Sequence, residues 1–189
     1  MEHNSPGLFR QIGIVFLFTL LSIAIHESGH FLVYTLADYP VKVTLQSVSP
    51  IGSVEPSADR WAKLAGPAAS WVAALAFLFL ALHRPGFTWA TASLTNASIR
   101  VFPCFMDLFR AIQNGRPFSD EGDVAVSLTS TQGGRIAVVL AAIALSFVLM
   151  ALSGRQYHFA RRGTLKVAGI YFLSLATGIA VVLVDELIR

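Results

Sequence analysis

The sequence predicts an all-α membrane protein, a bundle of about five transmembrane helices with a short β-hairpin between the first two. Three observations predict it. Of 189 residues, 54% are hydrophobic and only 13% charged, about half the charge of an ordinary soluble domain. Five apolar segments are long enough to cross a bilayer or nearly so. Between the first two lies a stretch rich in β-branched residues that partly alternates in polarity.

The first segment runs over 8–36, and 29 helical residues would extend about 43 Å. That exceeds a hydrocarbon core of about 30 Å, so this helix tilts or emerges at one end. The tail before it has no basic start and no small-residue cleavage site follows, which marks a retained span rather than a removed signal peptide. Residues 41–54, VKVTLQSVSPIGSV, read as the hairpin. The second span is expected over 64–82, the third over 87–106, the fourth over 136–152 and the fifth over 165–187. Trp61, Trp89, Tyr34 and Tyr39 fall near segment ends, where amphipathic rings favour the interface. The chain is thus expected to be one integral, multi-pass domain in a plasma or inner membrane.

The formal charge of +3 is scattered apart from Arg155, Arg161, Arg162 and Lys166. Such a cluster suits membrane headgroups. A nucleic-acid surface would interleave basic and aromatic residues on one face, and none is present. Cys104 is the sole cysteine, which excludes an intrachain disulfide and a cysteine-based metal site.

The chemistry is concentrated in H26-E-S-G-H30. Histidines four apart share one face of a helix, a turn apart, and can bind one zinc ion. Glu27, beside the first, is placed to take a proton from a water activated there. Ser28 and Gly29 are small enough for a helix or substrate backbone to approach closely. Three ionisable groups near membrane depth are costly and point to function. A catalytic zinc takes a third protein ligand and keeps a position open. His3 is in the tail, and His83 and His158 fall in loops, so an aspartate is expected. The acidic connection after the third segment supplies Asp107, Asp120 and Asp123.

With these residues in place, the chain resembles the site-2 protease family of intramembrane zinc metalloproteases. H26-E-S-G-H30 carries the resemblance, and A65-G66-P67 is similar to the family's Ala-Gly-Pro helix start. The 41–54 segment lies where family members place a membrane-associated hairpin. The family's second motif, Asn-x-x-Pro then Asp-Gly, is only partly present: arginine stands for asparagine in R100-V-F-P103. Its aspartate ligand corresponds to Asp107, which lacks the glycine, or to Asp120 in S119-D-E-G122. Asp120 is the favoured ligand, with Ser119 capping the helix that starts there and Gly122 easing the turn.

The resemblance implies peptide-bond hydrolysis in a membrane-embedded protein or peptide, with His26, His30 and Asp120 holding Zn2+ and Glu27 as general base and acid. An inactive relative that binds membrane proteins without cutting them is the alternative. Arg100 either holds an acidic residue of the site, positions a substrate carbonyl or snorkels to the interface. Cys104, beside Pro103, reads as a packing residue.

Overall fold

The structure, a computed structural model, describes residues 7–156 and 163–188. The side chains of 163–167, 186 and 188 lie outside that description, as do His3, His158 and most of the basic cluster around them. Seven helices are described: α1 (Leu8–Leu36), α2 (Pro56–His83), α3 (Phe87–Ser98), α4 (Val101–Ile112), α5 (Asp120–Leu128), α6 (Gln132–Arg155) and α7 (Gly163–Ile188). The expected hairpin is present as β1 (Val41–Val43) and β2 (Val48–Pro50), antiparallel, with Val41 opposite Pro50 and Val43 opposite Val48.

Among the described residues, four helices are long and apolar enough to cross a membrane: α1, α2, α6 and α7 over 168–185. The expected fifth, 87–106, is instead two 12-residue helices joined at Ile99 and Arg100. Pro103 explains the break. It has no N–H for the carbonyl four residues earlier, so the earlier helix ends and Pro103 sits in the first turn of a new one. Each piece is about 18 Å long, well short of the hydrocarbon core. Elsewhere the first segment keeps its expected bounds and the other three survive with longer ends. Helix α2 begins eight residues before Leu64, with Pro56 at its first position, where a missing N–H costs nothing.

Helix α3 is the axis of the bundle. Every residue from Ala90 to Ser98 is buried, and the helix touches α1, α2, α6 and α7. Its small residues let four neighbours close on it, and its hydroxyls join them. Ser93 bonds the Ala74 carbonyl of α2 at 2.7 Å and Ser153 of α6 at 2.6 Å. Trp71 of α2 donates to Ser146 of α6 at 3.1 Å.

Helix α4 is amphipathic. Val101, Cys104, Asp107 and Ala111 face inward, while Phe102, Phe105, Phe109 and Ile112 are exposed. Cys104 packs with Ala125, Val139, Ala142 and Ile143, as expected of a small apolar residue. Tyr34 departs from expectation. It is buried, and its hydroxyl donates to Asp59 at 2.9 Å instead of meeting the interface. At the other end of the chain Asp185 accepts the Leu45 N–H at 3.0 Å, tying α7 to the hairpin turn.

Candidate metal centre

The two histidines project from the last third of α1 against the start of α2. Their approach depends on two glycines. A Cβ on Gly29 would overlap the Ala65 carbonyl of α2, and one on Gly66 would overlap the His30 and His26 rings. Gly29 therefore serves the approach of a helix, one of the two alternatives its size allowed. Gly66 leaves space for the imidazoles themselves.

Each ring is oriented through its Nδ1. His30 Nδ1 lies 2.8 Å from the Ala62 carbonyl, which can only accept, so Nδ1 carries the proton. The Nε2 of a neutral His30 is then a bare lone pair. His26 Nδ1 lies 3.3 Å from Ser70 Oγ, which in turn reaches the Gly66 carbonyl at 3.4 Å. With the hydroxyl donating to that carbonyl, Ser70 accepts from His26 Nδ1 and frees His26 Nε2 as well.

Both free nitrogens point at one place. His26 Nε2 and His30 Nε2 are 3.1 Å apart. Asp120 Oδ2, at the first turn of α5, is 3.0 Å from the former and 3.3 Å from the latter. Three electron-rich atoms this close repel unless a proton or cation lies among them. A tetrahedral ion with bonds of about 2.05 Å has ligand–ligand edges of about 3.3 Å. The triangle fits one face of that tetrahedron, in donor type and in size. Glu27 stands beside it, one donor atom from each of His26, Glu27 and His30 lying within 4.8 Å of the others.

The three candidate aspartates have three separate partners. Asp120 meets the histidines. Asp123 pairs with Lys63 at 3.1 Å, and Lys63 also pairs with Asp59 at 3.0 Å. Asp107 turns away from the imidazoles to the loop before α5. There its Oδ1 accepts the N–H groups of Phe118 and Ser119 at 2.6 and 3.2 Å. Its Oδ2 accepts the Gly122 N–H at 3.1 Å and the Ser119 hydroxyl. Ser119 occupies the N-cap position of α5 but makes no side-chain cap bond; its hydroxyl goes to carboxylates instead. Gly122 is needed for close approach, since a Cβ there would overlap the Asp107 carboxylate.

Arg100 is buried and holds Glu121, with Nε to Oε1 at 2.6 Å and Nη2 to Oε2 at 2.5 Å. Of its three expected roles, this is the acid-holding one. Burial alone would raise the Glu121 carboxyl, but the Arg100 guanidinium draws it below the usual range. Asp120 behaves alike: burial opposes its charge, and where His26 and His30 carry a second proton, on Nε2, their hydrogen bonds hold it well below an ordinary carboxylate. For Asp107 burial prevails over its bonds from Ser119 and Phe118, and its carboxyl is raised.

A cleft of about 680 Å³ opens onto these groups. Its walls include Ile23 and Glu27 of α1, Val48 and Pro50 of β2, Phe102 and Phe118, and Tyr171 and Ile179 of α7. Glu27 Oε2 accepts the Val48 N–H at 2.7 Å. Thr44 N bonds the Ser47 carbonyl, so the next pair, Val43–Val48, turns its backbone groups outward. Glu27 thus takes the outer edge of β2. His83 lies elsewhere, exposed and bonded to the Phe79 carbonyl of its own helix.

Sequence reasoning missed Ser70, Tyr34, Asp59, Lys63 and Glu121 as partners of the site. Ser70 had a signal, standing four residues after Gly66 and so on the same face of α2. The carboxylate partners come from distant elements and had none. Comparison with protein-family models, curated proteins and solved structures gives no match.

Proposed function

We propose that the chain is an intramembrane zinc metalloprotease, similar to the site-2 protease family, acting on membrane-embedded proteins or peptides within a multi-pass membrane setting. One observation carries the reading: His26 Nε2, His30 Nε2 and Asp120 Oδ2 converge at 3.0–3.3 Å while both Nδ1 atoms are engaged elsewhere. These three residues would hold Zn2+. The ion would supply Lewis acidity, bringing the pKa of a water to about 7 and polarising the scissile carbonyl.

The remaining work falls to the chain. Glu27 is beside the ligands without being needed as one, so its carboxylate takes the proton of the attacking water. It then returns that proton to the nitrogen of the leaving amine. Ser70 and the Ala62 carbonyl keep the imidazoles oriented. The cleft admits a chain from the bilayer side between the hairpin, α4 and α7. A helical substrate must unwind before attack, because its carbonyls are otherwise bonded within the helix. The outward edge of β2 offers such an extended segment a strand to pair with. Pro50 has no N–H, so the Val48 N–H is the donor of that edge, and the substrate takes it from Glu27.

The experiment is cleavage of a transmembrane test peptide by the purified chain in lipid, with zinc measured beside it. The chain should retain about one zinc, and Glu27→Gln should keep the zinc while losing about 10²–10⁴-fold in cleavage. Undiminished cleavage by Glu27→Gln would remove Glu27 from the mechanism. Zinc-free wild-type protein, or zinc without cleavage, would overturn the protease reading, the latter in favour of a binding protein.

A further inference from the structure

Asp120 reaches the histidines from the start of α5. It stands at the first residue of a nine-residue helix that packs against α2, α4 and α6, directly after a loop. Its first turn is also held from behind. Asp107, thirteen residues earlier and 2% exposed, receives four donors on two oxygens: Phe118 N and Ser119 N on Oδ1, Gly122 N and Ser119 Oγ on Oδ2. Three of those donors are backbone N–H groups from both sides of Asp120. Glu121, the next residue, is clamped by buried Arg100 through two charged hydrogen bonds. The residues immediately before and after Asp120 are therefore both anchored to α4 and its start, and Asp120 alone among the three faces the imidazoles.

We propose that Asp107 is a positioning residue for Asp120: it holds the 117–122 turn in the shape that delivers the Asp120 carboxylate to His26 and His30. The inference deepens the metalloprotease reading and rests on it for the identity of the ion. The delivery itself is a property of the metal-free chain. A carboxylate is required for the task. An asparagine of the same shape has only one accepting atom, and its NH2 would be turned on donors that need an acceptor. The Gly122 requirement follows too, because a side chain there would displace the Asp107 carboxylate.

The test uses the full chain in detergent micelles, first metal-free and then with Zn2+ alone. Nitrogen-15 spectra of the histidine side chains read the Asp120 contact, with Asp120→Ala giving the signature of its loss. In Asp107→Asn the His26 and His30 signals should move to that signature, and Zn2+ affinity measured against a competing chelator should fall ten- to a hundredfold, the usual effect of losing an outer support. A carboxylate that merely stabilised the fold would lower the melting temperature and leave both readouts of the folded protein unchanged, and that result overturns the proposal. Should Asp107→Asn not fold, Ser119→Ala removes one of the four donors and should shift the same signals part-way and weaken Zn2+ about threefold; wild-type values there overturn it equally. If the wild type takes up no Zn2+, the metalloprotease reading fails, and the histidine spectra still decide whether Asp107 delivers Asp120.

Discussion

At the scale of single residues, the acidic turn shows how one short run of like charge is divided. Asp120, Glu121 and Asp123 all fall in the first turn of α5, where the helix dipole favours them. They then diverge to the histidines, to Arg100 and to Lys63. The Arg100–Glu121 pair is the deepest. Removing one member leaves a buried charge without its partner, which typically costs about 3–5 kcal/mol. Replacing both with apolar residues avoids that penalty. We therefore expect Arg100→Met and Glu121→Met each to lower the melting temperature markedly, and the double variant to melt above either single one. Additive losses in that cycle would show that the two side chains do not act as a pair.

At the scale of elements, much of what positions the site was legible and the rest was not. The His-Glu-x-x-His spacing needs only helix periodicity, and α1 supplies it. The hairpin could be read from β-branched residues bounded by Ser-Pro and glycine. The third apolar segment misled, because its composition suggested a span while Pro103 divides it. The choice among Asp107, Asp120 and Asp123 could not be made locally, since it depends on how α5 docks on α2, α4 and α6. Gly66 sits between these cases. A glycine in a helix costs about 1 kcal/mol relative to alanine, so its presence asks for a reason, and the reason is the ring it accommodates. Gly66→Ala should accordingly gain nothing from helix propensity. Its Cβ would push against the His30 and His26 imidazoles, so overpacking should cost about 1–3 kcal/mol in melting experiments and Zn2+ retention should fall with it. A stabilised variant with full zinc content would mean that α2 does not approach α1 this closely.

At the scale of the whole molecule, the position of the site relative to the helix ends sets where its chemistry takes place. His30 is six residues before the end of α1, and Ala62 six residues after the start of α2. At 1.5 Å per residue both are about 9 Å inside the same end of the bundle. The hairpin, Asp59, Lys63 and the start of α5 gather at that end too, joined by the Tyr34–Asp59 and Lys63–Asp123 contacts. On the proposed protease reading, water and an unwound substrate would meet the site without crossing the full hydrocarbon core, and the exposed apolar side chains of Leu17, Val72, Leu75 and Phe79 farther along α1 and α2 would face lipid. Cysteine labelling in native membranes tests this arrangement cleanly, because Cys104 is fully buried and should stay silent. A water-soluble maleimide should modify Lys42→Cys on the hairpin rapidly and Leu75→Cys hardly at all. Solubilisation by a mild detergent should leave that order unchanged. Ready modification of Leu75→Cys in the intact membrane would place that face of α2 in water, and with it the site at the wrong depth for a substrate drawn from the bilayer.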